Sequence, residues 1–328
     1  MLDEAAKLSA KVFADDIEKK PTRDGFGAGV VEAGKADPNV VVLCADLKES
    51  TRAEWFEKEF PDRFIEMGVA EQNMATVAAG MSLAGKIPFI ASYAAFSPGR
   101  NYEQIRTTIA INEANVKICG CHAGVSVGPD GATHQMLEDI GMMRMLPGMV
   151  VINPGDAEEA RKVVLAAARY EGPVYLRFGR SATPVFTTAD TPFTIGKALT
   201  LWDSDKPQIA LLSTGSLSYT TLVAARALAE EGIKTLVLHL PTVKPLDEEA
   251  ILVAAKRAGR VVTVEEHQAA GGFGSAVAEL LSERHPVSLK RLGIDDRFGQ
   301  SGEPDELLAH YGLDAHAVIA AAHTLLSL

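Results

Sequence analysis

One glutamate in this sequence is a candidate for proton chemistry. Glu71 follows a short apolar stretch that ends at Gly68, and helical spacing of small and apolar residues begins at Glu71 itself. Phe89, Tyr93 and Phe96 gather beyond this helix in a chain that is only 6% aromatic. A carboxylate in a first helical turn complements the helix dipole, but beside an aromatic wall it can also transfer protons. This arrangement suits a flat heteroaromatic cofactor that is protonated on a ring nitrogen.

A glycine-rich loop carries the second candidate set. The stretch CHAGVSVGPDGATHQ contains His122, Asp130 and His134 between a predicted strand and the next helical segment. Loops held by a rigid sheet often carry binding residues, and histidine titrates near neutral pH. The residues alone are equally consistent with polar side chains that only meet water. Cys119 and Cys121 have no second ligand pair at the usual zinc spacing, so we predict no metal ligand in this chain.

Three consecutive elements must position Glu71 and the aromatic residues. We predict a strand at 64–67, a helix from Glu71 to near Gly85, and a strand at Ile87–Tyr93. The helix is rich in alanine and glycine, so it can lie close to a neighbouring backbone. Glu71 then lies at the carboxyl end of a strand, where open parallel sheets bind their ligands.

Strands are predicted to alternate with helices over the rest of the chain. Further apolar runs predict strands at 39–45, 115–121, 150–152, 174–177, 208–213, 234–239, 260–264 and 287–292. Helical patterns lie at 3–19, 25–36, 102–112 and 157–169 and between the later strands. This alternation predicts an α/β fold of two three-layer domains with mostly parallel sheets.

A change in composition marks a domain boundary. Residues 181–197, SATPVFTTADTPFTIGK, are rich in threonine and proline and have no clear period. We predict a first domain at 1–185, a linker at 186–197 and a second, smaller domain at 198–328. The glycines at 271–274 have the wrong spacing for a dinucleotide fingerprint and predict a tight turn.

Composition and charge argue against several classes of protein. The 328 residues are 47% hydrophobic and 23% charged, as in soluble globular proteins, and the net charge of −11 argues against a nucleic-acid partner. No apolar run is long enough to span a membrane, and the first residues lack a signal-peptide pattern. Three cysteines are too few for a disulfide scaffold. We therefore expect a cytoplasmic protein.

The motifs GVAEQNM, YAAF and GPDGATHQ together resemble the pyrimidine-binding half of transketolases. The resemblance extends over nearly the whole chain but covers only the second half of an ordinary transketolase. It implies a pyrimidine-binding domain followed by a transketolase C-terminal domain. The implied activity is transfer of a two-carbon ketol unit from a ketose phosphate, such as xylulose 5-phosphate, to an aldose phosphate, as in the pentose phosphate pathway. The implied cofactors are thiamine diphosphate and Mg²⁺.

The resemblance also implies the residues that meet the cofactor. Glu71 hydrogen-bonds a ring nitrogen of the aminopyrimidine and so takes part in catalysis. Phe96 stacks on the pyrimidine, with Tyr93 and Phe89 in the pocket wall. One extra residue after Phe96 leaves open whether Tyr93 takes the stacking position instead. Asp46 acts near the cofactor through orientation and the subunit interface.

Further residues are implied to meet the sugar. His122, Asp130 and His134 line the channel and bind hydroxyl groups, and Asp130 reads the stereochemistry of the donor. His134 helps to move protons. Arginine pairs with phosphate oxygens two at a time, which suits it to the phosphate end of the substrate. The implied phosphate-binding residues are Arg23, Ser50 and Arg180, with Arg177 as a near neighbour that is easily confused with Arg180.

One motif of thiamine enzymes is missing. Those enzymes hold the diphosphate through a metal, with a Gly-Asp-Gly motif and a downstream asparagine, and no Gly-Asp-Gly occurs in this sequence. The resemblance therefore implies a partner chain that carries the domain for the diphosphate and Mg²⁺. We expect a heterotetramer with two copies of each subunit, two sites at subunit interfaces, and no activity of this chain alone.

Three alternatives stay open. 1-Deoxyxylulose-5-phosphate synthase shares the GVAEQ pattern but tends to carry an acid followed by arginine where this chain has His122 and Ala123. The β subunit of a 2-oxo acid dehydrogenase has a similar length and two similar domains, but its middle loop does not read GPDGATHQ. A non-catalytic regulatory or scaffold subunit is disfavoured by Glu71 and the full set of sugar residues.

Overall fold

Two largely parallel sheets and a two-stranded ribbon form the framework of the computed structural model, which describes residues 1–328. The strands, in chain order, are β1 (Lys19–Pro21), β2 (Val40–Cys44), β3 (Phe64–Glu66), β4 (Ile87–Tyr93), β5 (Lys117–Cys121), β6 (Val150–Ile152), β7 (Val174–Arg177), β8 (Ala182–Pro184), β9 (Leu199–Trp202), β10 (Ile209–Ser213), β11 (Thr235–His239), β12 (Thr242–Lys244), β13 (Arg260–Gln268) and β14 (Ser288–Ile294). The α-helices are α1 (Thr22–Ala36), α2 (Lys48–Thr51), α3 (Ala53–Glu59), α4 (Glu71–Leu83), α5 (Tyr102–Gln104), α6 (Asp139–Arg144), α7 (Ala157–Arg169), α8 (Leu217–Glu230), α9 (Glu248–Ala258), α10 (Phe273–Arg284), α11 (Pro304–His310) and α12 (Ala315–Leu326). The predicted α/β fold is confirmed. None of these helices combines the length and apolar character that a membrane crossing requires.

The larger sheet has seven strands in the order β12-β6-β7-β5-β4-β2-β3. Every neighbouring pair is parallel except β12 with β6. Strands β2, β5 and β7 are buried along their whole length, as continuous apolar runs predict. Helices α1, α3 and α7 cover one face through a core that includes Phe26 and Phe56, and α4 covers the other.

The smaller sheet has five strands in the order β14-β13-β10-β11-β9, of which only β9 is antiparallel to its neighbour. Helices α8 and α12 pack on one face. Helices α9 and α10 pack on the other, in a core cluster that also contains α4. The two sheets therefore share a continuous core. Strand β12, from the second half of the chain, is also the edge strand of the larger sheet.

The elements around Glu71 form as predicted. Helix α4 begins at Glu71, and Gly85 follows it in a left-handed conformation with φ of 84°. Tyr93, the last residue of β4, lies opposite Cys121 in the parallel register, so the segments after β4 and β5 leave the sheet side by side. Because parallel strands share one direction, the residues that follow β2, β4, β5 and β7 all lie at one edge of the sheet.

The helix predicted at 3–19 is wrong. Only a short 3₁₀ turn forms at Glu4–Ala6. The segment instead lies across the second half of the chain, where the Asp3 N–H donates to the Leu201 carbonyl and Val12 packs into the core beneath α8. Tertiary packing has overridden a local helical period, as it often does for weakly helical segments.

Several short elements were not predicted. Strands β1, β8, β9 and β12 have three or four residues each, too few for a periodic signal. The helix predicted at 102–112 forms as α5 followed by a π-helix at Ile105–Ala110. No helix or strand lies between β8 and β9, the stretch for which a linker is predicted.

Candidate active site

The candidate residues converge at the carboxyl edge of the larger sheet. Asp46 follows β2, Tyr93 ends β4 and His122 follows β5 directly, while Arg180 follows β7 and Glu71 opens α4. Each comes from a different strand–loop junction, and the parallel register brings those junctions together. The sheet thus assembles residues that lie far apart in the sequence.

Glu71 is held in a buried position with one oxygen unused. Its side chain is 1% exposed, and Oε2 accepts a hydrogen bond from Arg100 Nη1 at 2.7 Å. No donor within the chain reaches Oε1. Asn101 Nδ2 donates to the Glu71 carbonyl (3.0 Å) and to Ser97 Oγ (3.2 Å), which ties the first turn of α4 to the loop after β4. The carboxylate is therefore fixed in place while Oε1 stays available to a ligand.

Aromatic and histidine rings form a compact group beside Glu71. The Tyr93 and Phe96 rings are nearly parallel, with centroids 5.9 Å apart and an interplanar angle of 9°. His122 stacks on Tyr93 with a centroid distance of 3.8 Å. His134 meets both aromatic rings edge-on, at 6.0 Å from Tyr93 and 5.6 Å from Phe96. One face of Tyr93 is thus covered by the stacked His122 imidazole, whereas Phe96 meets an imidazole only in the edge-on contact with His134.

The Phe96 ring and Glu71 already share a planar partner. The Arg100 guanidinium lies 4.5 Å from the Phe96 ring centroid while it donates to Glu71. A flat heteroaromatic ring that stacks on Phe96 and hydrogen-bonds the carboxylate needs the same two partners, and the unpaired Oε1 offers it an acceptor. The free carboxylate oxygen and the aromatic side chains present therefore fit such a ring, while in this structure the Arg100 guanidinium lies over the Phe96 ring.

Phe89 does not belong to this group. It lies inside β4, four residues before Tyr93, and has no accessible surface. Its side chain belongs to the core cluster beneath α1 and α7. The interpretation of Phe89 as part of a cofactor pocket is wrong, because an interior strand position packs against helices, and only the end of the strand reaches the site.

His122 is buried and electrically neutral. Burial, together with Arg23 and Arg180, lowers the pKa of His122 to about 2. Arg23 Nη1 lies 3.1 Å from Nε2, and because arginine only donates, Nε2 accepts and Nδ1 carries the hydrogen. Nδ1 is buried without a partner. The backbone is also left-handed at this residue, with φ of 56°, a conformation that is concentrated at functional sites.

The expected direct contact between His122 and a sugar hydroxyl is not met in this conformation. The residue has no exposed surface, and the Tyr93 ring covers its imidazole. The strand register explains this, since it pairs the end of β4 with the end of β5 and so brings Tyr93 over the residue that follows Cys121. A substrate reaches His122 only if the Tyr93 ring turns aside.

A basic cluster lies beside His122. Arg23 Nη1 also donates to the Ser50 carbonyl at 2.8 Å, and its Nε is buried without a partner. Burial and the neighbouring Arg52 lower the pKa of Arg23. Arg180 donates to the Val127 carbonyl at 2.8 Å. Three arginines in one region, with only part of their hydrogen-bonding capacity used, favour an anionic ligand such as a phosphate. Ser50 enters through its carbonyl group and not through its hydroxyl.

The structure separates Arg177 from Arg180. Arg177 is buried, and its Nε donates to Asp139 Oδ2 at 2.8 Å, an oxygen that also accepts from the Tyr175 hydroxyl. Its Nη2 donates to the Glu266 carbonyl. Arg177 therefore forms its hydrogen bonds within the core, whereas Arg180 is partly exposed and can be reached by a ligand.

The remaining candidates lie at the rim. Asp130 is exposed, and no group in the chain pairs with its side chain. His134 Nδ1 lies 2.9 Å from Thr133 Oγ1. Asp46 is exposed and left-handed, with φ of 58°, and its N–H donates to Glu66 Oε1. These side chains have room to meet a substrate or another chain.

Sequence reasoning missed two arginines in this region. Arg100 pairs with Glu71, and Arg52 pairs with Asp24 through Nε at 2.7 Å close to Arg23. Each lies within four residues of a predicted site residue, Phe96 or Ser50. That proximity was the available signal, but only the three-dimensional structure shows which way the side chains turn.

Comparison with known proteins gives a consistent result over both halves. Residues 18–185 match the family model described as the transketolase pyrimidine binding domain, and residues 196–318 match that of the transketolase C-terminal domain. The chain is 44% identical over 302 residues to a Methanocaldococcus jannaschii protein assigned as a transketolase C-terminal section, covering 91% of this chain and 94% of that protein. It is 39% identical over 301 residues to one subunit of the apulose-4-phosphate transketolase of Phocaeicola vulgatus, covering 92% and 96%. A solved split gene transketolase, described as an inactive β4 tetramer, matches with a TM-score of 0.87 and 44% identity over 94% of this chain and 99% of that one.

Proposed function

The chain belongs to the transketolase family, and on that premise we propose that it is the C-terminal subunit of a split transketolase. It transfers a two-carbon ketol unit from a ketose phosphate to an aldose phosphate. The observation that carries the proposal is the fixed, buried Glu71 with a free Oε1 beside the Phe96 ring. Thiamine diphosphate, when bound, supplies the nucleophilic carbon at which the carbon–carbon bond is broken and formed.

The residues of this chain orient the cofactor and hold a proton. Glu71 Oε1 hydrogen-bonds the pyrimidine ring nitrogen while Arg100 keeps the other carboxylate oxygen in place. Phe96 would stack on the pyrimidine, and Tyr93, which lies between Phe96 and His122, would form part of the pocket wall. Asp46 helps to orient the cofactor from the subunit interface.

The substrate lies between the rim and the basic cluster. Asp130 and His134 bind donor hydroxyl groups at the rim, and His134 takes part in proton movement. Arg23 and Arg180, supported by the backbone of Ser50, bind the phosphate group. His122 donates from Nδ1 once Tyr93 moves away from its ring. The P. vulgatus relative is named for apulose 4-phosphate, so the proposal gives the reaction class and leaves the sugar pair to experiment.

A partner chain completes the site. The sequence lacks the Gly-Asp-Gly motif, so the partner holds the diphosphate through Mg²⁺, and two copies of each chain form a cytoplasmic heterotetramer. The solved split-gene relative is described as an inactive β4 tetramer, which supports a chain that is inactive alone. Within the chain, residues 1–185 form the pyrimidine-binding domain, 186–197 the linker and 198–328 the C-terminal domain.

Reconstitution tests the proposal. The chain is mixed with the partner that carries the Gly-Asp-Gly motif, with thiamine diphosphate, Mg²⁺, xylulose 5-phosphate and ribose 5-phosphate. We expect ketol transfer in the complex and none with either chain alone. Transfer by the isolated chain would overturn the partner requirement. A complex that assembles but transfers no ketol unit from any of a panel of ketose phosphates would overturn the activity.

A further inference from the structure

The loop that carries the sugar-binding candidates is anchored from the other half of the chain. Residues 122–135, here called the site loop, follow β5 of the larger sheet. Their middle forms a buried 3₁₀ turn at Val125–Val127. The Ser126 N–H in this turn donates to Glu266 Oε1 at 2.6 Å, and Glu266 lies on β13 of the smaller sheet.

Glu266 is closely fitted to the loop. A Cβ atom placed on Gly124, where φ is 90°, would lie 2.3 Å from Glu266 Oε1, so only glycine allows this approach. Arg177 Nη2 donates to the Glu266 carbonyl at 2.8 Å and holds this end of β13 against the larger sheet. The carboxylate is itself buried. Glu266 is therefore a fixed acceptor for the loop.

Gln135 forms a second anchor at the end of the site loop. The two hydrogens on its Nε2 are shared among three carbonyl groups, those of Val125 (3.1 Å), Gly128 (3.1 Å) and Gln300 (2.9 Å). The first two close the loop on itself, and the third joins it to the second half of the chain. Gln135 is 4% exposed, so water does not replace these bonds easily.

The segment that contains the Gln300 carbonyl, which accepts from Gln135, is itself fixed by hydrogen bonds. Tyr311 Oη donates to the Phe298 carbonyl at 3.1 Å, and Gln268 Nε2 donates to the Arg297 carbonyl at 2.8 Å. A Cβ atom on Gly131 would lie 2.7 Å from Ser301 Oγ. Residues 297–302 thus form a fixed surface against which the site loop rests.

Asp130 and His134 lie between the two anchors. The loop contains Gly124, Gly128 and Gly131, all with positive φ, and such residues leave a free loop with many conformations. Displacement of a binding group by about 1 Å can cost about 100-fold in rate. The anchors therefore supply the rigidity that the loop sequence lacks.

We propose that the C-terminal half positions the donor-binding loop of the active site, through Glu266 and through the Gln135–Gln300 contact. Both side chains are positioning residues, since both are buried and form hydrogen bonds with backbone groups of the loop or of the segment beside it. The inference rests on the proposed function for its catalytic consequence, but the anchoring itself is measurable without activity.

The first test uses the isolated chain. Gln135→Met keeps the length of the side chain and removes its donors, and the same change at Gln208, an exposed residue far along the chain, is the matched control. Hydrogen exchange of peptides within 122–135, read by mass spectrometry, is expected to become about tenfold faster in Gln135→Met and to stay unchanged in Gln208→Met. Unchanged exchange in Gln135→Met would overturn the anchoring.

The second test uses the reconstituted complex. Gln135→Met and Glu266→Ala are expected to raise KM for xylulose 5-phosphate about tenfold, with unchanged affinity for thiamine diphosphate measured by titration. Glu266→Gln keeps an acceptor for Ser126 and should restore KM. Equal losses of donor and cofactor affinity, or a normal KM with a mobile loop, would overturn the positioning role. If the wild-type complex lacked ketol transfer, the proposed function would fail while the exchange result still decided the anchoring.

Discussion

His122 should make the folded chain lose stability in mild acid. Its pKa is lowered from 6.5 to about 2 by burial and by Arg23 and Arg180. Between these two values the unfolded chain binds a proton that the folded chain does not. Stability therefore rises with pH up to about 6.5 and falls as the pH drops below it. Replacement by glutamine, which can still accept from Arg23, removes this titration.

The size of the effect follows from the linkage relation. A pH of 5.0 is 1.5 pH units below the ordinary histidine pKa of 6.5. Each pH unit in this range changes the free energy of unfolding by about 1.4 kcal/mol. The wild type should therefore lose about 2 kcal/mol more than His122→Gln between pH 7.0 and pH 5.0. Urea unfolding of both proteins at the two pH values measures this difference.

The matched control is His316→Gln, which makes the same change at an exposed position on α12. This variant should keep the pH dependence of the wild type. Parallel pH profiles of wild type and His122→Gln would refute the reasoning, because they would mean that His122 is protonated as easily in the folded chain as in the unfolded one. In that case the neutral ring with hydrogen on Nδ1 would also have to be abandoned.

Three further predictions concern charged groups around the site. Glu71→Gln should lower kcat of the reconstituted complex by about 100-fold to 10,000-fold with assembly intact, as loss of a proton-transfer group does. Size-exclusion chromatography checks the assembly and steady-state kinetics measure kcat. A normal kcat would remove Glu71 from the mechanism. Arg100→Met should lower the free energy of unfolding by about 2 kcal/mol, between the values for exposed and buried pairs, because Glu71 is 1% and Arg100 45% exposed. Urea unfolding measures it, with the exposed Arg169→Met as control, and equal stabilities would contradict it. Arg180→Met should raise KM for xylulose 5-phosphate about tenfold to 100-fold but leave KM for unphosphorylated xylulose unchanged, and an equal rise for both sugars would exclude phosphate binding by Arg180.

The sequence predicted the elements whose signals are local. The strand Ile87–Tyr93 and the start of α4 at Glu71 form as predicted, because an apolar run and a helical period are properties of a few neighbouring residues. The prediction of a helix at 3–19 failed because the conformation of this segment depends on its contact with Leu201, far along the chain. The prediction that Phe89 lines the pocket failed because the hydrophobic pattern of a strand does not distinguish its interior from its end.

The arrangement of the side chains in the site was harder to predict than which residues belong to the site. Glu71, Tyr93, Phe96 and His122 do come together, since all lie at carboxyl ends of parallel strands or directly after them. That Tyr93 covers His122 depends on the register of β4 with β5, which the sequence does not state. The anchoring of the site loop by the second half depends on contacts between residues more than a hundred positions apart.

The two arginines beside the aromatic pair give the site one acceptor and one donor. On the Phe96 side, Arg100 occupies Oε2 of Glu71 and leaves Oε1 free to accept. On the Tyr93 side, Arg23 occupies Nε2 of His122 and leaves the Nδ1 hydrogen free to donate. Arginine cannot accept a hydrogen bond, so Nε2 of His122 must accept from Arg23, whereas Oε1 of Glu71 accepts as a carboxylate and donates when it carries a proton. The site therefore offers a carboxyl group that can exchange a proton at one point and an imidazole N–H that can donate a hydrogen bond at another.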